Sequence, residues 1–174
     1  MTLFYRLALV LCLVSFNVAA YSGPRGLYVL KYPVSMPDVS LVSEHNRAAP
    51  ILETDSDLTI LVFWSQSCAP CLREMKYLEE FYPKAAHDNI NVMLVSSASE
   101  WKTSKEERRF LSKYGAPTIP FYNDVNNRLS LSLGIGTTPY TVIMDRNGKK
   151  VATIQGETNW GSGRLYKMIK KLIK

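Results

Sequence analysis

Thiols and imidazoles are scarce in this chain, which has three cysteines and two histidines among 174 residues. Cys12 lies in an N-terminal apolar run, so a domain without that run keeps only Cys68 and Cys71. That excludes a disulfide scaffold. It also argues against structural zinc, which takes four ligands, because His45 and His87 are isolated. The chain also lacks a stripe of Arg and Lys interleaved with aromatics, so nucleic acid is not an expected partner. The formal charge of +6 points instead to acidic partners or an anionic membrane surface. Lys167, Lys170, Lys171 and Lys174 read as a solvated helix face complementing the helix dipole. There is no internal repeat and no low-complexity tract.

A hydrophobic run of membrane-spanning length is missing too. Leu7 to Phe16 is apolar, but it is short and broken at Ser15 and Asn17, whereas a span needs about 20 residues. With Arg6 before it and Val18-Ala19-Ala20 after it, the segment 1–20 reads as a signal peptide cleaved before Tyr21. An uncleaved membrane anchor is the alternative. Lipid attachment at Cys12 is disfavoured by the bulky Leu11. Residues 21–35 carry Gly and Pro and read as a linker, leaving one domain over 36–174. With 47% hydrophobic residues the chain can bury a core without disulfides. An exported protein with one Cys-x-x-Cys pair is then expected to use it for chemistry rather than for stapling.

That pair is the centre of the sequence. Leu58 to Trp64 is almost continuously apolar, as in a strand buried on both faces. Cys68-Ala69-Pro70-Cys71 follows, and then a helical pattern with Leu72, Met75, Leu78 and Phe81 on one face, ending at about Pro83. Further strands are expected at 37–41, 90–96, 119–122, 140–145 and 150–154, with Asn147-Gly148 as a hairpin turn. Thr103 to Tyr114 reads as a helix, with Ser104 and Glu107 at capping-box spacing. Gly163 to Lys174 reads as an amphipathic helix with Leu165, Met168, Ile169 and Leu172 inward. Leu129 to Leu133 alternates like a strand, while its flanks allow a short helix. The order implies an α/β fold, a central mixed β-sheet flanked by helices.

Two thiols in the first turn of a helix form a redox couple that can close and reopen. Cys68, at the helix N-terminus, meets free backbone N–H groups and the positive end of the dipole, which favour its thiolate and make it the expected nucleophile. Cys71, one turn along, is the expected resolving thiol. Ala69-Pro70 brings no cation to stabilise a reduced thiolate, which favours the disulfide and a reducing couple.

Several ordered features resemble the thioredoxin-like superfamily, and within it the exported TlpA/ResA group of thiol-disulfide oxidoreductases. They are Phe63-Trp64, Cys68-Ala69-Pro70-Cys71, Leu72-Arg73-Glu74-Met75, Thr138-Pro139, Asp145-Arg146-Asn147-Gly148, Gly156 and Trp160. The resemblance spans 37–174 and implies a thioredoxin-like fold whose added helix corresponds to 103–114. It implies that Pro139 is the cis-proline facing the thiols, with Thr138 against the disulfide and Trp64 shielding the site. At Glu74 the group has a glutamate that moves protons on the resolving thiol, and an ordinary exposed helix glutamate is the competing reading. No cofactor is expected, and two cysteines with isolated His45 and His87 leave no metal expected either. The partners implied by the resemblance are client protein thiols and disulfides, as in cytochrome c maturation or oxidase copper-site assembly, and a membrane thiol-disulfide electron donor. The expected protein is a periplasmic monomer acting as a protein-disulfide reductase. A DsbA-like oxidase and a redox-inert binding module are the alternatives. Three positions depart from the pattern: Ser67 replaces a common Trp, Lys76 replaces a Pro, and Val62 stands where thioredoxin keeps a buried Asp.

Overall fold

A computed structural model describes residues 26–53 and 55–173. The expected signal peptide and its cleavage site lie outside the described residues. The strands are β1 (Gly26–Ser35), β2 (Ser40–Ser43), β3 (Ala48–Pro50), β4 (Leu58–Phe63), β5 (Ile90–Ser97), β6 (Phe121–Asp124), β7 (Tyr140–Asp145) and β8 (Lys149–Gln155). The helices are α1 (Ala69–His87), α2 (Ser104–Lys113), α3 (Arg128–Ser132) and α4 (Gly163–Lys170), with 3-10 turns at Ala98–Glu100 and Val125–Asn127.

One sheet runs in the order β1-β8-β7-β4-β5-β6-β2-β3. The pairs β4/β5 and β5/β6 are parallel and the other neighbours antiparallel. Both faces of the central strands are covered, which explains the unbroken apolar run of β4. Leu58, Ile60 and Val62 pack with Met75, Leu78 and Phe81 of α1, Leu111 of α2 and Ile169 of α4. Leu61 and Phe63 face the second core, with Met36, Leu41, Met93, Leu129 and Val142. Val62, in the place of thioredoxin's Asp, is fully buried among these apolar neighbours.

The structure corrects several local expectations. Most of the linker read over 21–35 is strand: residues 26–29 pair with 152–155 of β8 and residues 34–35 with 149–150. Between these two stretches Leu30 to Pro33 leave the ladder, and Tyr32 is 73% exposed. Pro33, Lys31 and this irregularity blunt the outer edge of the sheet.

Pro83 does not end α1. It sits inside the helix, which continues to His87 because Phe81 and Ala85 remain buried on either side of it. The lost N–H costs one helical bond, and packing outweighs it. The chain leaves the helix through Asn89, at φ 56.

The cap of α2 is one residue earlier than the capping-box spacing suggested. Thr103 accepts the Glu106 N–H at 3.1 Å, and Glu107 points into the protein. Leu129 to Ser132 is helical because the Asp124 carboxylate accepts the backbone N–H groups of Leu129 and Ser130, at 3.0 and 2.8 Å.

Candidate active site

Cys68 is the N-cap of α1 and Pro70 falls in its first turn, where a missing N–H leaves no helical bond unmade. The two cysteines are joined by a disulfide, with their Cα atoms 5.3 Å apart. The Cys71 N–H donates to Cys68 Sγ at 3.2 Å, and the Cys68 carbonyl accepts the first helical bond from Leu72. Cys68 is 9% exposed and Cys71 0%. A thiolate attacking from outside therefore reaches the Cys68 sulfur, and the helix end is arranged to stabilise negative charge on it.

The loop ahead of the pair is fastened from the side. The Gln66 N–H donates to Glu100 Oε2 at 2.7 Å, and the Gln66 side-chain amide donates to the Glu100 carbonyl at 3.1 Å. Within the loop the Ser65 carbonyl accepts the Cys68 N–H at 3.1 Å. Nothing in the sequence distinguishes Glu100 from an exposed glutamate in a polar connection.

Antiparallel pairing sets Tyr140 of β7 opposite Phe63 of β4, bringing the preceding Thr138-Pro139 beside Trp64 and Ser65. The Thr138–Pro139 peptide is cis, and the Pro139 carbonyl accepts the Gly156 N–H at 2.9 Å. A cavity of about 250 Å³ opens here, with Trp64, Ser65, Ser96, Glu100, Asp124 and Thr138 among its walls. Trp64 and Thr138 line this one cavity, and neither Cys68 nor Cys71 is among its lining residues. Trp64 itself is 2% exposed and packs on Trp101 and Phe110, with ring centroids 5.6 and 6.1 Å away.

Glu74 is not an exposed helix glutamate. It is 3% exposed, and its Oε2 accepts the Thr158 N–H at 2.9 Å. Burial pushes its carboxyl up to about 7, and the nearby Glu157 charge adds to this. The Thr158 N–H and the Trp160 indole pull the other way. Glu74 borders a second cavity of about 330 Å³ with Tyr77, Glu157, Thr158 and Asn159. None of these residues lines the cavity of Trp64 and Thr138, so the structure separates Glu74 from those two. At the rim Arg73 pairs with Glu157, an exposed contact worth little in stability.

A second buried carboxylate is Glu107, which capping-box spacing alone would place at a helix start. It is 0% exposed and hydrogen-bonded to Ser96 and Asn123, and burial pushes it up to about 7 as well. Its spacing from Phe110 and Leu111, three and four residues on, was the available sign that it faces inward.

Comparison with known proteins agrees with this geometry. The sequence pattern of the family described as thioredoxin-like matches residues 55–150. Thiol-disulfide oxidoreductase ResA of Geobacillus thermodenitrificans is 30% identical over 120 residues, covering 69% of this chain and 67% of the relative. Thiol:disulfide interchange protein HelX of Rhodobacter capsulatus is 28% identical over 103 residues, 59% of this chain and 54% of HelX. The chain thus spans about two thirds of the first relative and about half of the second. Among solved structures, StoA from Bacillus subtilis superposes with a TM-score of 0.61 at 20% identity, covering 79% of this chain and all of StoA (100%). A thiol:disulfide interchange protein from Bacteroides sp. gives 0.68 at 16% identity, covering 83% and 91%. At those identities the structural matches establish the fold.

Proposed function

The chain belongs to the thioredoxin-like family and is one of its thiol-disulfide oxidoreductases, and from that premise we propose that it works as a reductase of client protein disulfides. The observation that carries the direction is the disulfide at the start of α1 with Ala69-Pro70 between its cysteines. No cation lies between the cysteines to hold a reduced thiolate, so the oxidised form is favoured and the dithiol is a good donor.

In the forward reaction the Cys68 thiolate attacks one sulfur of a client disulfide. A mixed disulfide forms and the client's other sulfur leaves as a thiolate. Cys71, after losing its proton, attacks Cys68 Sγ. The second client sulfur is released and the Cys68–Cys71 bond closes. Two electrons pass to the client. Trp64 and Thr138 line the cavity in which the client segment lies, with Pro139 beside them. Glu74, buried on α1 three residues past Cys71, is proposed as the group that takes the Cys71 proton.

The proposed setting is the periplasm, reached by a signal over 1–20, with the domain beginning after it. There the protein acts as a monomer recharged by a membrane thiol-disulfide donor. Its proposed clients are apocytochrome c thiols or the copper-site cysteines of respiratory oxidases and their chaperones, as the resemblance to the TlpA/ResA group suggests.

Equilibration of the Cys68–Cys71 couple with a dithiothreitol or glutathione buffer tests the direction. The expected potential lies near the roughly −270 mV of thioredoxin, well away from the roughly −120 mV of DsbA. The difference of about 150 mV corresponds to about 7 kcal/mol for two electrons. A value at the oxidant end assigns the protein to disulfide formation instead. For Glu74→Gln, reduction of a client disulfide is expected to lose its inflection near pH 7. An unchanged pH profile would remove the proton-transfer role from Glu74 and leave the reductase assignment standing.

A further inference from the structure

A closed network of hydrogen bonds lies beside the redox loop and has no part in the exchange steps. The Ser96 hydroxyl donates to Glu107 Oε1 at 2.8 Å. It accepts the Trp101 indole N–H at 3.1 Å and one Asn123 Nδ2–H at 3.0 Å. Asn123 Nδ2 also donates to Glu107 Oε2 at 2.7 Å. Every donor in the cluster is used, and both acceptor sites of Ser96 are filled. Three elements meet in it, α2 through Glu107, β5 through Ser96 and β6 through Asn123. Trp101 directly follows Glu100, and Glu100 holds Gln66, two residues before Cys68.

We propose that Glu107 is a positioning residue for the redox pair, anchoring through Ser96 and Trp101 the turn from which Glu100 holds the Cys68 loop. In the network as it stands the carboxylate only accepts, one bond on each oxygen. A protonated Glu107, or a glutamine, sets a donor against Ser96, whose acceptor sites are both filled, and against the donor Nδ2 of Asn123, so one of the bonds to Glu107 must break or rearrange. The charged groups facing Glu107 are Glu100 of the 3-10 turn, which raises its pKa, and Arg108 of its own helix, which lowers it. Arg108 is itself paired with Glu44 at 2.8 Å. From β5 and β6 it receives the neutral donors Ser96 and Asn123. The anchor therefore holds in neutral to alkaline solution and loosens in acid. A loosened loop presents Cys68 to Cys71 less often and makes closure of the disulfide less favourable.

This inference rests on the redox reading of the pair, and its test is a difference between variants rather than an absolute potential. The full chain is equilibrated with dithiothreitol at pH 8.5 and pH 6, as wild type, Glu107→Gln, Ser96→Ala and the double variant. At pH 8.5 Glu107→Gln is expected to lower the constant for disulfide closure about tenfold, about 30 mV toward the oxidising side. At pH 6, where wild-type Glu107 is itself protonated, the gap should close. Ser96→Ala should give the same shift at pH 8.5, and adding Glu107→Gln to it should change nothing further. A purely structural Glu107 would leave the closure constant alone, or shift it equally at both pH values, and either result overturns the proposal. So does full additivity of the two substitutions. If Glu107→Gln does not fold, Ser96→Ala decides, and a wild-type closure constant in it overturns the proposal. A wild-type potential at the oxidant end would sink the reductase reading and leave these differences intact.

Discussion

Cys71→Ser is expected to accumulate mixed disulfides with client proteins through Cys68, while Cys68→Ser accumulates almost none. The asymmetry follows from the helix end. The Cys68 sulfur is the partly exposed one, it accepts the Cys71 N–H, and it sits at the positive end of the α1 dipole. Cys71 is fully buried one turn along and can act only on a sulfur already joined to Cys68. Without it the second exchange has no nucleophile and the covalent complex persists. Turnover of a disulfide substrate should fall to background in both variants, so trapping separates the roles where activity cannot. Non-reducing electrophoresis after thiol alkylation reads the result. Equal trapping by the two variants, or trapping by Cys68→Ser alone, reverses the assignment.

The fold is expected to lose stability as pH rises from about 4.5 to 7, opposite to the usual acid denaturation. Glu74 and Glu107 are both pushed from 4.5 to about 7, with burial the largest cause in each. In that window the folded protein keeps protons that the unfolded chain has released. The unfolded state therefore binds fewer, and the free energy of unfolding falls with increasing pH. Each carboxyl contributes roughly 3 kcal/mol, fully present below the unfolded value and lost by the folded one. Asp88 acts in the opposite sense, held down to about 2 mainly by the Tyr166 hydroxyl, but its window lies below the ordinary value of 3.8. The melting temperature at pH 7.5 should be lower than at pH 5 by on the order of 10 °C. Glu74→Gln should remove about half of the slope, and Glu74→Gln with Glu107→Gln nearly all of it. Thermal melts at the two pH values check this, and a flat wild-type profile would show that neither carboxyl is shifted.

The same two glutamates mark the boundary between what a sequence records and what a fold decides. The Cys-x-x-Cys pair, the buried strand before it and the helix after it were legible because each is a local pattern. The turn at Asn147-Gly148 was legible for the same reason, because Gly148 adopts φ 68 as such a turn requires. The helix over 103–114 was legible apart from its cap. The resemblance supplied what local pattern cannot, the expectation that Thr138-Pro139 returns from some 70 residues away; the structure makes that peptide cis and sets Thr138 on a cavity with Trp64 and Ser65.

Strand β1 was not legible. It lies at the edge of the sheet with most of its residues exposed, so no burial alternation is written into it, and its partner β8 is more than 100 residues away. The helix at Leu129 to Ser132 was decided by the Asp124 carboxylate, and the continuation of α1 past Pro83 by the core beneath it. Glu74, Glu100 and Glu107 are the same residue, and only the spacing of Glu107 from Phe110 and Leu111 hinted in the sequence at burial. Glu74 became a buried acid under the Thr158 loop, Glu100 a latch on Gln66, and Glu107 the acceptor of a closed network. The amino-acid sequence by itself determined the redox pair, its helix and the strand that presents it, because backbone propensity and hydrophobic period act between near neighbours. Tertiary structure alone decided which carboxylates lost their water, because desolvation depends on what distant segments pack over a charge.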